Sequence, residues 1–581
     1  MTTTVDGRPA DPATDAPRRS RLGWCLVVAA LAIGVALPLR GLMRAQGPPM
    51  EEGFMLAFPE FVLRGLLPNR DFLHLYGPGS LWALAATFKV FGVSLATERW
   101  FGLLQQLGIL TAMVLLARFW GRTVALTVGL VCIVMLVPPI GLTALAWDGG
   151  VALVALGLVA ALEGRRRSRS VDDRPAPALG WILLGGVLLG LGLTFRLDLV
   201  VAVTLAGATA VWGLGRRSYG RLLLGVALGA SPYLVHLATA GPVTVFRGMV
   251  LDPVVYLRGG RRLPVPPPWD HLDSVLQRVG VEALPKWPSL LSTPAQLALW
   301  FWLLIAVVVL LIGVGAWGVR RDPARFQARV LLAVGALSLG LMPQAVQRVD
   351  SAHLAWVSCV PVAFLPVAIV EALRLLRPSM RLGARAAVAA STAAVLILAV
   401  LPHFTARIYY DYTAQSFGHR RTAVAIWHGG RLFYYGRPEV QGAAESLLAR
   451  IDEIAEPGDR LFIGTTDLRR TPYSDAYLYY MLPKLRPATY FVEMDPGMAN
   501  RDGSRMPQDL ASADVVVLSS IWKDWSEPND SRKFGSLESS RVLVRDFCRV
   551  GTFGDGIYDL YTRRPAGGCP AGTTVPTPPG L

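Results

Sequence analysis

The sequence predicts a multi-pass α-helical membrane protein of about eleven spans that carries a C-terminal α/β domain. Three observations predict it. Hydrophobic residues make up 53% of the 581 positions, and a mean hydropathy of +0.43 is too oily for a soluble chain of this length. Apolar stretches recur at about 20 residues, the length a helix needs to cross the hydrocarbon core. Arg-rich clusters separate alternate stretches, the signature of cytoplasmic loops, whereas residues 403–581 lose the oily pattern.

The net charge of +16 would suit nucleic acid. Its excess, however, sits in the clusters between spans, so it reports topology, and we assign no nucleic-acid partner. Residues 1–21 are polar, end in Arg18-Arg19-Ser20-Arg21 and read as a disordered cytoplasmic tail. The first span, 23–41, then acts as an uncleaved anchor in a transmembrane domain of residues 22–402. This topology puts the N-terminus in the cytoplasm of a plasma-membrane protein and the 50–99 loop outside.

Parity fixes the next step. Segments 81–93, 98–117, 123–140 and 149–163 are all apolar, yet Arg165-Arg166-Arg167-Ser168-Arg169 belongs inside. Four crossings from outside end outside, so one segment does not cross. A 13-residue helix over 81–93 reaches about 20 Å, short of the roughly 30 Å core, so it is expected to lie flat on the outer surface. Spans at 179–195, 222–239, 296–318 and 386–402, with returns near 216, 348 and 374, complete the count.

Residues 403–564 read as an exoplasmic α/β domain. Strands are expected at 458–464, 513–518 and 558–561 and a helix at 440–456, before a disordered tail over 565–581. Cys25, Cys132 and Cys359 lie in apolar segments, as small buried hydrophobes do. Cys548 and Cys569 lie in the domain placed outside; a disulfide and two free thiols both remain open there.

Ionisable groups gather at one place, the loop from Met50 to Arg99. It opens on Glu51-Glu52-Gly53, continues through Gly65, Pro68, Arg70-Asp71-Phe72, His74 and Tyr76-Gly77-Pro78-Gly79, and closes on Phe91-Gly92 and Arg99. This ordered set resembles the GT-C glycosyltransferases, and within them the protein O-mannosyltransferase and aminoarabinose-transferase-like group. The likeness departs at Glu51, where that group usually has Asp. It implies interfacial helices in the first outer loop and transfer of a sugar from a polyprenyl-phosphate carrier to a glycan, lipid or protein acceptor of the cell envelope.

The topology also sends Asp148, Arg196, Asp198, Arg348, Asp350 and His353 to the outer mouth. Charges inside hydrocarbon cost about 2.5–3.5 kcal/mol each, so they collect where a polar site receives them. Phosphate leaves readily, so such a transferase needs one carboxylate base and cations for the departing charge, not a general acid. The expected roles are therefore Glu51 as base and Glu52 as its support or substitute. Arg70, Arg99, Arg196 and Arg348 are expected to hold phosphate. Asp71, His74, Tyr76, Asp148, Asp198, Asp350 and His353 are expected around the acceptor or behind these groups.

Plainer readings stand beside these. Glu51 and Glu52 suit a helix start, Arg196 and Asp198 an interfacial ion pair, residues 348–353 a solvated turn, and Tyr76–Gly79 a turn that launches a helix. No cofactor is assigned; a divalent metal on His74 or His353 with a carboxylate is an open alternative, but the spacing fixes nothing and a structural role is favoured. The basic, proline-rich run 258–269 either lids the site or rests on headgroups. Two other functions compete: a flippase for lipid-linked glycans, which predicts interrupted helices and polar residues at the midplane, and a non-catalytic scaffold for envelope assembly.

Overall fold

The chain enters the structure as a long helix, α1 (Ala16–Leu42), whose Leu22, Leu26, Val28 and Ile33 are exposed on the bundle's outer face. Cys25 shares that exposed face, whereas Cys132 and Cys359 are buried. The cysteine expected in the core at position 25 therefore faces outward, because α1 packs at the edge of the bundle. The computed structural model describes residues 16–136, 141–168, 175–274, 277, 291–400, 405–420 and 423–581. Residues 16–21, expected in the tail, already belong to α1. Residues 1–15, Arg169 and parts of the 241–295 loop lie outside the described residues.

Two helices follow before the next span: α2 (Pro49–Leu63) and α3 (Pro78–Phe91). The helical body continues with α4 (Leu95–Ala117), α5 (Arg122–Leu136), α6 (Ala146–Arg167), α7 (Pro175–Phe195), α8 (Val200–Val211), α9 (Arg216–Gly229) and α10 (Pro232–Ala240). Short turns, α11 (Pro242–Phe246) and α12 (Arg258–Arg261), lead to α13 (Thr293–Arg321), α14 (Phe326–Gln347), α15 (Ser351–Ser358), α16 (Pro361–Leu376), α17 (Leu382–Val395) and α18 (Arg407–Ser416). The last packs along α1, so the helical body extends past residue 403.

Among the described residues, seven helical segments are long and apolar enough to cross a membrane, and α15 with α16, bent by 45°, would make an eighth. The expected count of about eleven is not reached. The other three expected spans are shorter apolar helices, Arg122–Leu136, Leu197–Val211 and Leu382–Leu398. At 1.5 Å per residue, a helix like the 15-residue α5 covers about 22 Å, less than the core. With 14 residues, α3 is likewise too short to span. Within the Arg165–Arg167 cluster, Arg165 is buried and donates to Ala210 O and Trp212 O, capping the end of α8.

The C-terminal part opens with a hairpin, β1 (Val424–His428) and β2 (Arg431–Tyr435). Its turn is Gly429-Gly430, both at positive φ, which matches the twist of a two-residue hairpin loop. Helix α19 (Pro438–Ile454) precedes a five-stranded sheet of order β4-β3-β5-β7-β6. Its strands are β3 (Arg460–Thr465), β4 (Arg486–Pro487), β5 (Val515–Ser519), β6 (Phe547–Phe553) and β7 (Tyr558–Arg563). Strands β3, β4 and β5 run parallel, and β7 pairs antiparallel with β5 and β6.

The tail expected to be disordered is instead tied back. Cys548 and Cys569 form a disulfide with Cα atoms 5.6 Å apart, and Arg549 and Thr574 exchange backbone hydrogen bonds of 2.8 and 3.0 Å.

The first loop and the sheet domain share one core. Phe54, Phe58 and Phe61 of α2 pack with Phe433, Leu447, Tyr477 and Tyr479. A Cβ at Gly53 would come within 2.5 Å of Tyr477 N, so glycine lets α2 meet α20 (Tyr477–Met481) backbone to backbone. Glu60 pairs with Arg431 at 2.7 Å, Arg64 donates to Leu485 O at 3.0 Å, and Leu73 N donates to Tyr490 O at 2.7 Å. In the sheet domain, the loops that follow the parallel strands β3, β4 and β5 reach the membrane domain through Tyr473, Asp495 and Glu527, and the β1–β2 hairpin reaches it through Arg431 and Tyr434.

Candidate active site

Adjacent residues on a helix point about 100° apart, and the two glutamates that start α2 accordingly part company. Glu52 turns into the junction of α1 and α4, where Arg99 Nε and Nη2 grip its carboxylate at 2.7 and 2.9 Å. Arg99 also donates to Leu42 O at 3.0 Å and Ala45 O at 2.9 Å. Both side chains are almost fully buried, at 2% and 1% exposure. Glu98 adjoins them and takes Ala144 N at 2.5 Å. Glu52 and Arg99, expected as base support and phosphate ligand, thus form a closed knot whose guanidinium is already satisfied.

Glu51 faces the other way. Its carboxylate forms no ion pair or hydrogen bond with another described residue, apart from the helix-start contact to its own backbone amide. Burial raises its pKa, and the charges of Arg261, Arg348 and His353 pull it down by less. A partly buried carboxylate beside cations that do not clasp it differs from the fully buried, clasped Glu52 on the same helical turn.

The walls around Glu51 come from several parts of the chain. Arg348 donates to Asp350 (2.7 Å), bidentately to Glu527 (2.5 and 2.8 Å) and to Arg261 O (2.9 Å). Ser274, which donates to Glu527 at 2.7 Å, completes this clamp. Asp350 caps α15 by accepting His353 N at 2.9 Å and meets the His353 ring, also at 2.9 Å. Burial works against the Asp350 charge, but His353 and Arg348 outweigh it and lower its pKa. Expected as a phosphate ligand, Arg348 is instead spent on joining the 347–353 turn, the 258–274 loop and the sheet domain.

Two other arginines keep donors in reserve. Arg261 lies 4.1 Å over the Tyr473 ring and gives one bond, Nη2 to Asp495 at 3.1 Å, leaving Nε and Nη1 unengaged among the described residues. Arg196 is held by Asp198 at 3.0 and 2.5 Å and by Gln344 at 3.3 Å, leaving Nη1 unengaged among the described residues. Its guanidinium lies 4.5 Å over the Tyr76 ring and 5.4 Å from the Trp147 ring. Tyr76 senses the charges of both Arg196 and Glu51, so these belong to one neighbourhood. Glu493 and Asp495 complete it. Both are buried, Glu493 Oε1 and Asp495 Oδ2 lack partners, and burial followed by their mutual repulsion raises Glu493.

Other expected members stand apart. Arg70 is half exposed and bound to Asp71, which also takes Leu67 N at 2.7 Å, so the pair braces a turn and does not meet the pocket. His74 is buried edge-on to Phe58 and Tyr76, and burial lowers its pKa to about 3, so it stays neutral. Asp148 lies in the bundle interior beside Cys359. Among the described residues no group of three or more His, Cys, Asp or Glu side chains could hold a metal ion.

The sequence reading missed Arg261 as a site residue, although its basic run stood out, and missed Tyr473, Glu493, Asp495 and Glu527 altogether. The one local signal, for Glu493 and Asp495 alone, is a pair of acids in the otherwise apolar stretch Phe491–Asp495.

No known family and no curated protein matches the sequence. Solved structures do match its shape, and the first of them shows the GT-C fold, a multi-pass helical body carrying a C-terminal domain. One is ArnT from Cupriavidus metallidurans bound to undecaprenyl phosphate, at TM-score 0.52 and 14% identity, covering 94% of this chain and 99% of that one. Another is the archaeal oligosaccharyltransferase AglB from Archaeoglobus fulgidus in complex with an inhibitory peptide and a dolichol-phosphate. It aligns at TM-score 0.46 and 11% identity, covering 96% of this chain and 75% of that one.

Proposed function

We propose that the protein is a glycosyltransferase that moves a sugar from a polyprenyl-phosphate carrier to a cell-envelope acceptor on the outer face of the plasma membrane. The observation that carries this reading is Glu51: a partly buried carboxylate, free of ion pairs among the described residues, that shares its pocket with guanidinium groups holding donors in reserve. The GT-C fold supports the class. The Cys548–Cys569 disulfide supports an oxidising compartment for the sheet domain.

In this mechanism Glu51 accepts the proton of the acceptor hydroxyl as its oxygen attacks the anomeric carbon. The bond from that carbon to the phosphate oxygen breaks, and the carrier phosphate leaves with the electron pair. Arg261 and Arg196, the cations with unengaged N–H groups, take up the growing negative charge. A single displacement inverts the anomeric centre. A base with a raised pKa is better matched to neutral pH than an ordinary carboxylate, which fits burial of Glu51. Arg348 acts at one remove, with Glu527 and Asp350 holding it and His353 against the pocket.

The test is transfer from radiolabelled polyprenyl-phosphate sugars in membranes containing wild-type protein or Glu51→Gln. The variant is expected to lose about 10²–10⁴-fold in transfer while it still binds undecaprenyl phosphate. Undiminished transfer by Glu51→Gln would remove the proposed base.

A further inference from the structure

At the end of the bundle away from the sheet domain, α8, α13 and α14 enclose a pocket of about 250 Å³, lined by Thr209, Trp212, Gly213, Val319, Arg329 and Leu332. Its depth in the membrane follows from α14. Between Arg329 and Gln347 that helix rises about 27 Å at 1.5 Å per residue, nearly the roughly 30 Å of a hydrocarbon core. Gln347 leads into the turn whose Arg348 and His353 act on Glu51. The pocket therefore lies one core thickness from the transfer site, in the opposite headgroup layer, on the face that the Arg-rich loops assign to the cytoplasm.

The charges around it suit an anion. Arg329 gives Nε to Pro323 O at 3.2 Å, and its guanidinium stays charged whatever its N–H groups meet. Arg320 follows Val319, and Arg216 and Arg217 open the helix after Gly213; all three are exposed. Nearby acids are already taken: Glu163 by Arg118, Arg166 and Arg167, and Glu371 by Arg325. Asp322 ends α13 and accepts Ala324 N at 3.0 Å. The carbonyl end of α8 would ordinarily repel an anion, but Arg165 caps it through Ala210 O and Trp212 O at 2.9 and 2.7 Å.

Size and surroundings narrow the ligand. The volume is below the roughly 300–1,000 Å³ of pockets that engulf a drug-sized molecule, so it admits a headgroup and not a whole lipid. Trp212 is 64% exposed, as indoles are in the interfacial belt. The three helices also expose Val201, Val309 and Leu339, apolar surface on which acyl chains lie. We propose that this pocket seats the headgroup phosphate of one anionic phospholipid, drawn by Arg329 and flanked by Trp212, and that the lipid pins α8 to the α13–α14 hairpin. Basic pockets between helices at this depth select a net negative headgroup over a zwitterion.

The test is native mass spectrometry of full-length protein released from nanodiscs of equal phosphatidylglycerol and phosphatidylcholine, with lipid retention read for each. Wild type is expected to retain phosphatidylglycerol about fivefold over phosphatidylcholine, the worth of one cation at a membrane surface. Arg329→Gln and Thr209→Phe are each expected to lower that ratio toward one. Thr209→Phe changes no charge and fills the space, so it separates a seated headgroup from diffuse attraction, and it decides the matter alone if Arg329→Gln fails to elute as folded protein. Arg221→Gln, which removes an exposed charge outside the lining, is expected to keep the preference. Absence of the preference in wild type, its survival in either folded lining variant, or an equal fall in Arg221→Gln would overturn the site.

Discussion

Glu51 and Glu52 are neighbours on one helical turn, yet they serve regions of opposite character. Around Glu52, every polar atom of Arg99 has a partner, and the ensemble ties α1, α2 and α4 together. Around Glu51, the nearby guanidiniums are held by other carboxylates and none clasps Glu51 among the described residues, while Glu493 and Asp495 each keep one oxygen unpartnered there. Identical residue types thus separate by completeness of hydrogen bonding.

The comparison breaks most visibly at the saturated end. Arg99→Met strands Glu52 without its partner, and breaking a buried pair from one side costs about 3–5 kcal/mol. The expected result is a steep loss of thermal stability or of folded yield, read by fluorescence-detected size exclusion; a variant that melts like the wild type would show that the knot is not structural.

At the unsaturated end, Arg261→Ala is expected to leave the protein folded and to weaken undecaprenyl phosphate binding. Loss of charge-assisted hydrogen bonds worth about 1.5–3 kcal/mol corresponds to roughly 10–100-fold. Equal affinity in wild type and variant would take Arg261 out of phosphate binding.

A pH profile sharpens the contrast further. Glu51 must be deprotonated to act, and burial raises its pKa. Transfer should therefore rise with pH and level off above the raised value, with kcat/KM falling about tenfold per pH unit below it. An acid limb at or below the range of an ordinary glutamate would contradict the burial argument. The smallest effect is expected at Arg70→Ala. Arg70 is half exposed, and its partner Asp71 keeps Leu67 N, so transfer and melting should match the wild type. A large loss of transfer there would return Arg70 to the site.

Much of this was legible before any coordinates. The loop from Met50 to Arg99, the strands near 460, 515 and 558, the helix near 440 and the apolar segments all follow from local periodicity. The assignment of roles was not. That Glu51 and not Glu52 faces the pocket depends on which side of α2 packs against α20, a contact across more than 400 residues of chain. Arg348 looks like a free cation until Glu527, 179 residues away, fills it. Arg261 and Tyr473 meet through a loop and a domain that share no sequence signal. The disulfide, by contrast, joined residues that compartment chemistry had already singled out as a candidate pair.

The most direct measurement compares Glu51→Gln with Glu52→Gln in purified full-length protein, scoring melting, undecaprenyl phosphate binding and sugar transfer together. Glu51→Gln should melt and bind like the wild type and transfer almost nothing, whereas Glu52→Gln should lose stability first. A Glu51→Gln variant that unfolds, or a Glu52→Gln variant that stays fully folded and inactive, would reverse the roles and contradict the account.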